Sequence, residues 1–369
     1  MNKQIKKNQN TESKNIILNN NNLISEETSK RINSLRFLLA VLVVFKHNCY
    51  RLVFSSTYDV VFNQSNIGDW IQIFISYGLA HCAVPLFFLF AAFIQVTKAD
   101  PYKILLKKKS KSLVIPYIIW ISIYFFLYVL TSKEIVNSRW WDIKNIIRYF
   151  FGFTEINGGA PLAAGQFWFV RDLIIFTVFS PFIIYFIKKM RFLVILCFFI
   201  FAESITIKYA AKSLEGLFFY TLGLYWGLYD FDLFKFVDRI KFWEILPIYF
   251  ITEIFINTKW PAGNQIILLF SVCIIVLKLS KYLVSNENVY KKLSFLSNYS
   301  FFLYAIHMPI MLSLFQSLWI HIFPMKNTFF CLFEYFGVSF LIVFVGTLAG
   351  IVLKKFCRPI YNILNGGRK

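Results

Sequence analysis

Apolar runs of about 18 or more residues recur along the chain from Leu35 onward, and each is long enough to cross a bilayer as a helix. Ten such runs fall near 35–54, 73–96, 113–131, 166–187, 191–208, 214–229, 242–257, 263–281, 299–320 and 329–353. The pattern predicts an all-α, polytopic membrane protein of about ten transmembrane helices. Residues 1–30, rich in Asn, Lys, Ser and Glu, predict a disordered polar tail. That tail is too long and polar for a signal peptide, and the apolar run after it too long for an h-region. The expected organisation is therefore a tail over 1–30, a membrane domain over 31–356 and a short basic tail over 357–369.

Composition agrees with the pattern. The chain is 58% hydrophobic and 20% aromatic but only 16% charged, too few charges to cover a soluble surface of this size. The net charge of +20 invites a nucleic-acid reading. The basic residues, however, gather at the ends of the apolar runs, where they set orientation, and no basic domain stands free. One set of connections, together with both tails, carries 28 of the 39 lysines and arginines, which predicts cytoplasmic termini. Six cysteines are scattered singly, so neither a disulfide framework nor a metal site is expected.

Charged and imidazole groups inside the runs are the candidate chemistry, because an ionisable group there is costly and commonly functional. In Ser34-Leu-Arg-Phe-Leu-Leu-Ala-Val-Leu-Val-Val-Phe-Lys-His-Asn-Cys49, Arg36 and His47 are eleven positions apart. On a helix that spacing is three turns plus roughly 20°, so the two share a face about 16 Å apart. Arg36 alone reads as a topology charge; His47 is a base suited to neutral pH. His81 opens the second run at comparable depth, either to pair with His47 or to bond backbone. Lys103-Ile-Leu-Leu-Lys-Lys-Lys-Ser-Lys111 is a juxtamembrane basic stretch that meets lipid headgroups or donor phosphates.

Between about 132 and 165 lies the longest internal connection, with Arg139-Trp-Trp-Asp142, an amphipathic stretch over 143–153 and a Gly-rich loop that lacks Walker spacing. Gln166-Phe-Trp-Phe-Val-Arg-Asp-Leu173 follows. Its Arg171 and Asp172 point about 100° apart, so their partners are expected on other spans, with His47, His81 and Glu334 as candidates. Glu203 and Glu253 are further intramembrane carboxylates. His307 falls in the inner half of span nine, too deep to share a role with His47, and His321 at its outer rim.

Four segments in this order resemble the acyltransferase-3 family of integral membrane O-acyltransferases, over about Arg31 to Lys354. They are Leu35-Arg36 with His47, Val84-Pro-Leu-Phe-Phe-Leu-Phe90, the basic stretch ending Ile115-Pro-Tyr117, and Phe167-Trp-Phe169 with Ser300-Phe-Phe-Leu-Tyr-Ala-Ile-His307. The resemblance implies transfer of an acyl group, usually acetyl, from cytosolic coenzyme A to a hydroxyl of an envelope or exported glycan. It makes His47 the catalytic residue and puts Arg36 on the donor side. The family's paired arginines fall near Lys108 and Lys111, where a point charge replaces bidentate phosphate recognition. Its frequent Ser-Gly is Ala91-Ala92 here.

His81, Trp168, Arg171, Asp172 and His307 are then supporting or acceptor-side residues, with Arg171 or Asp172 orienting the imidazole. The implied partners are acyl-coenzyme A as co-substrate, a glycan or lipid-linked saccharide, and membrane lipids, with no bound cofactor and no nucleic acid. The implied location is the inner (plasma) membrane, multi-pass. His47 acts either as base or as covalent carrier. The competing reading is a transporter or flippase for a lipid-linked glycan, which would lean on Arg171, Asp172, Glu203 and Glu253 instead.

Overall fold

A computed structural model describes residues 24–49, 67–131, 143–152, 161, 164–204, 211–229, 231–258, 265–323 and 328–367. Every regular element among them is helical. The expectations for 1–23 and for Arg139 to Asp142, and that for the side chain of Glu203, lie outside the described residues.

Helix α1 (Glu26–His47) begins inside the stretch read as a polar tail. Ser25 caps it by accepting from Thr28 N–H at 3.1 Å, and Glu26 and Glu27 sit in the positive first turn. Helix α2 (Ile67–Thr97) and helix α3 (Tyr102–Leu130) follow, then the short amphipathic α4 (Ile143–Phe151). Helix α5 (Trp168–Ser204) is continuous where two spans were expected. Lys188, Lys189, Met190 and Arg191 are helix formers, and the described helix has no glycine or proline beyond Pro181 to end it there. Charge marked a connection at that point; backbone propensity carries the helix through it.

The chain continues through α6 (Ala211–Leu228), α7 (Leu233–Arg239), α8 (Phe242–Thr258), α9 (Gln265–Ser285) and α10 (Glu287–Ser297). Then come α11 (Ser300–Ile322), α12 (Thr328–Phe356) and α13 (Arg358–Leu364), the last inside the expected C-terminal tail. Among the described residues six stretches are long and apolar enough to cross a membrane: α2, α3, Gly165–Met190, Ile267–Ser285, α11 and Phe329–Phe356. The other helices are shorter or more polar.

Helix α1 is the central post. Leu35, Leu39, Ala40, Val43 and Val44 are all buried, and α2, α9, α10, α11 and α12 pack around it. Arg31 fastens its first half. Only 1% exposed, Arg31 donates twice to Asp238 (both 2.9 Å), to Ser280 Oγ (2.9 Å) and to the Leu277 carbonyl (3.0 Å). Its guanidinium also lies 4.2 Å from the Phe234 ring centroid. The fork-on-fork geometry satisfies a buried charge that would otherwise be expensive.

On the other flank α6 lies directly on α2. The Trp226 and Phe93 rings stack 3.7 Å apart, and a Cβ at Gly223 would sit 2.2 Å from the Leu89 carbonyl oxygen. That approach requires glycine, as small residues commonly allow in membrane helix pairs.

Candidate functional site

Three devices build the site: the spacing on α1, a cavity beside it and a break in α11. Arg36 lines a cavity of about 220 Å³. Phe87, Phe90, Ala91 and Ile94 of α2, Leu113 of α3, and Phe169, Val170 and Leu173 of α5 complete its apolar wall. Ser297, Ser300, Phe301 and Tyr304 close it. The segments named in the family resemblance therefore converge on one space. One guanidinium and the hydroxyl-bearing Ser297, Ser300 and Tyr304 serve a chamber walled mainly by apolar side chains, the composition of a small-molecule site with a single anchoring charge.

At the Tyr304 end the chamber meets the break in α11. Met308 precedes Pro309, which disfavours α backbone at the preceding residue, and Met308 is extended at φ −143°, ψ 164°. The carbonyls freed there find donors: Gln166 Nε2 donates to Ala305 (3.2 Å) and Met308 (2.5 Å), and the Tyr124 hydroxyl donates to Ala305 (2.8 Å). The Tyr304 hydroxyl donates to the Gln166 carbonyl. His307 stands at this break, 1% exposed, with its Nδ1 2.6 Å from the Tyr304 carbonyl oxygen. A carbonyl only accepts, so Nδ1 carries the proton and Nε2 keeps its lone pair. Among the described residues Nε2 has no hydrogen-bond partner.

The His47 and His307 rings lie with centroids 5.2 Å apart, inclined at 45°. This corrects the expected depth of His307. Asn33 Nδ2 donates to Ser294 Oγ and Ser297 Oγ donates to Asn33 Oδ1, both at 2.8 Å, so Ser297 lies level with Asn33 rather than with Arg36. From that common level His307 is ten residues along and His47 fourteen, roughly 6 Å of axial difference at 1.5 Å per residue. The two imidazole side chains span it, with their ring centroids 5.2 Å apart.

Asn48, immediately after His47, is fully buried. It donates to the Tyr335 carbonyl and Ser339 Oγ (3.0 Å each) and accepts from Gln316 Nε2 at 2.8 Å. Glu334 is buried beside these two amides, and neither carboxylate oxygen has a hydrogen-bonded partner among the described residues. Sequence reasoning missed Asn48, Gln316 and Gln166 as parts of this wall; the neighbours of His47 and of Trp168 were the available signal.

The remaining candidates separate. His81 Nε2 stands 3.5 Å from Glu215 Oε2 on α6. Arg171 and Asp172 close on each other (Nε–Oδ1 2.8 Å), correcting the expectation that each would be paired separately on another span. The arginine stem is long enough to curl back to its neighbour. The pair then binds α4 through Arg171 Nη1 to the Phe151 carbonyl (2.7 Å), and α6 through Ser213 Oγ to Asp172 (2.6 Å). Trp168 packs 6.3 Å from Phe88. Lys108 is exposed and pairs with Asp100 at 2.6 Å, and Lys111 is exposed, both close along α3 to Leu113, whose side chain lines the cavity.

A helical bundle with six stretches apolar enough to cross a membrane among its described residues, two histidine rings 5.2 Å apart and a cavity with one guanidinium in its wall is the architecture of a multi-pass membrane protein. The model of the acyltransferase-3 family, described as an acyltransferase domain, matches residues 29–355, and the chain belongs to that family. The comparisons with curated proteins and with solved structures return no match. The chain is a membrane acyltransferase.

Proposed function

We propose that the protein moves an acyl group, acetyl in the first instance, from acyl-coenzyme A to a hydroxyl of an envelope or exported glycan. The carrying observation is the chamber itself, which has Arg36 in its wall and ends at Tyr304, beside His307 and hence His47. In this reading the termini are cytoplasmic and the plasma membrane is the site of action. The donor approaches from the basic side, Arg36 and the exposed Lys108 and Lys111 meet its phosphates, and the apolar wall receives the pantetheine arm and acyl group. His47 performs the transfer at the far end. The transporter reading finds less support, since the Arg171 and Asp172 charges it would use satisfy one another.

The test is transfer of labelled acetyl from acetyl-coenzyme A to glycan in membranes carrying the full chain. His47→Ala should fold and lose about 10²-fold or more of the activity, the contribution expected of a positioned acid–base or nucleophilic group. Undiminished transfer by that variant rejects the assignment of His47.

A further inference from the structure

The acyltransfer reading assigns His47 and leaves His307 unused. Yet His307 has the features of a prepared base. Its Nδ1 is committed to the Tyr304 carbonyl, its Nε2 has no partner among the described residues, and its ring stands 5.2 Å from that of His47. A merely structural histidine at 1% exposure would be expected to satisfy both nitrogens. Gln166, whose Oε1 is likewise buried and unpartnered, adds a second acceptor on the same turn of α11, where its amide grips Ala305 and Met308. Two buried acceptors without partners among the described residues, held at one break in α11, suit a ligand that brings O–H donors.

We propose that His47 carries the acyl group covalently and that His307 is a second catalytic residue, the base for the acceptor hydroxyl. This deepens the acyltransfer reading and rests on it. In the first half-reaction a His47 ring nitrogen attacks the thioester carbon. The N–C bond forms, the C–S bond breaks and its pair leaves on sulfur. The proton on the other His47 nitrogen passes to the thiolate, giving free coenzyme A thiol and a neutral acyl-imidazole. In the second, His307 Nε2 takes the proton of the acceptor hydroxyl as that oxygen attacks the acyl carbon. The O–C bond forms, the N–C bond breaks, and its pair returns to His47. His307 then hands its proton to His47, restoring two neutral imidazoles. Gln166 Oε1 accepts from a neighbouring hydroxyl of the acceptor and holds it in line.

The experiment uses [acetyl-¹⁴C]acetyl-coenzyme A on membranes carrying the full chain, reading label on the protein and label in the glycan separately. His307→Asn keeps a donor for the Tyr304 carbonyl but removes the base; His307→Gln is the second variant should the first not fold. The expected result is label retained on the protein after a rapid quench in cold detergent near neutral pH, where an acyl-imidazole outlasts the work-up, lost again when His47→Ala is added, with glycan transfer down about a hundredfold or more. Three results overturn the proposal. One is glycan transfer within tenfold of wild type in the folded His307 variant. Another is a folded variant that takes no label on the protein. The third is label on the His307 variant that persists when His47→Ala is added. Wild-type membranes that move no acetyl into glycan at all would instead reject the acyltransfer reading beneath it.

Discussion

Arg31 shows how much one side chain decides when it is buried with its charge. Its bidentate hold on Asp238 binds α1 to α7, and the contacts with Ser280 and Leu277 bind it to α9. Burial by itself raises the Asp238 carboxyl, but the Arg31 hydrogen bonds and charge, with Lys281, outweigh it and hold the carboxyl below its usual value. A lowered folded value means stability that is present above the unfolded value of about 3.9 and fades as pH falls through the folded one. Asp238→Asn should therefore remove about 3 kcal/mol at neutral pH, near the low end for stranding one buried partner. Glu27, 3.6 Å from Arg31, softens the loss. Melting curves in detergent at neutral and acid pH should show the variant converging on wild type as acid protonates Asp238. Parallel curves at every pH would refute the ion-pair account.

The same scale explains what the residues of the site disclosed in advance. Arg36 and His47 share one helix, so 3.6-residue periodicity alone relates them. His47 and His307 meet across α1 and α11, far apart in the sequence, a long-range fact that no local pattern encodes. Gln316 was invisible for the same reason, an isolated polar residue until Asn48 links its helix to α1, and Glu334, expected as a partner of Arg171 or Asp172, is buried beside those amides instead.

At the scale of elements, hydrophobic run length predicted most helices, because a bilayer-spanning segment must satisfy its backbone internally. It misplaced boundaries where charge and propensity disagree. The basic stretch at 188–191 looks like a loop but continues α5, and the polar residues from Glu26 look like a tail but begin a capped helix. Close helix contacts leave a different trace. Gly223 on α6 lets Leu89 of α2 approach so nearly that an added methyl would also stand 2.9 Å from the Ala92 Cβ. Gly223→Ala should destabilise by about 1–3 kcal/mol, the usual range for overpacking, and Gly223→Val by more. The second half of α2 also walls the chamber, so displacement should raise KM for the donor along with lowering the melting temperature. A Gly223→Val protein with native melting and native KM would show that the two helices have room to separate.

The whole molecule closes on itself through its last helix, and this bears on the reaction. Tyr361 of α13 is fully buried; its hydroxyl donates to the Asn298 carbonyl at 2.8 Å, and Asn365 Nδ2 donates to the same oxygen at 3.1 Å. Trp120 of α3 donates to the Leu364 carbonyl at 3.0 Å. Helix α13 thus pins the turn between α10 and α11 against α3, and that turn lies between Ser297 and Ser300, both in the chamber wall. The clamp acts at Asn298, nine residues before His307, whose own turn is held separately by Gln166 and Tyr124 on the Ala305 carbonyl. Truncation after Cys357 should accordingly loosen the chamber where the donor is held while leaving the two histidines in place. The expected signature is a fall of a few degrees in melting temperature, a severalfold rise in KM for acetyl-coenzyme A and a nearly unchanged kcat. Tyr361→Phe, which deletes one hydrogen bond worth about 1 kcal/mol, should reproduce the direction at smaller size. Loss of kcat with KM intact would place the influence of α13 on the histidine pair instead, and would mean that α11 transmits strain across its break rather than absorbing it at Met308.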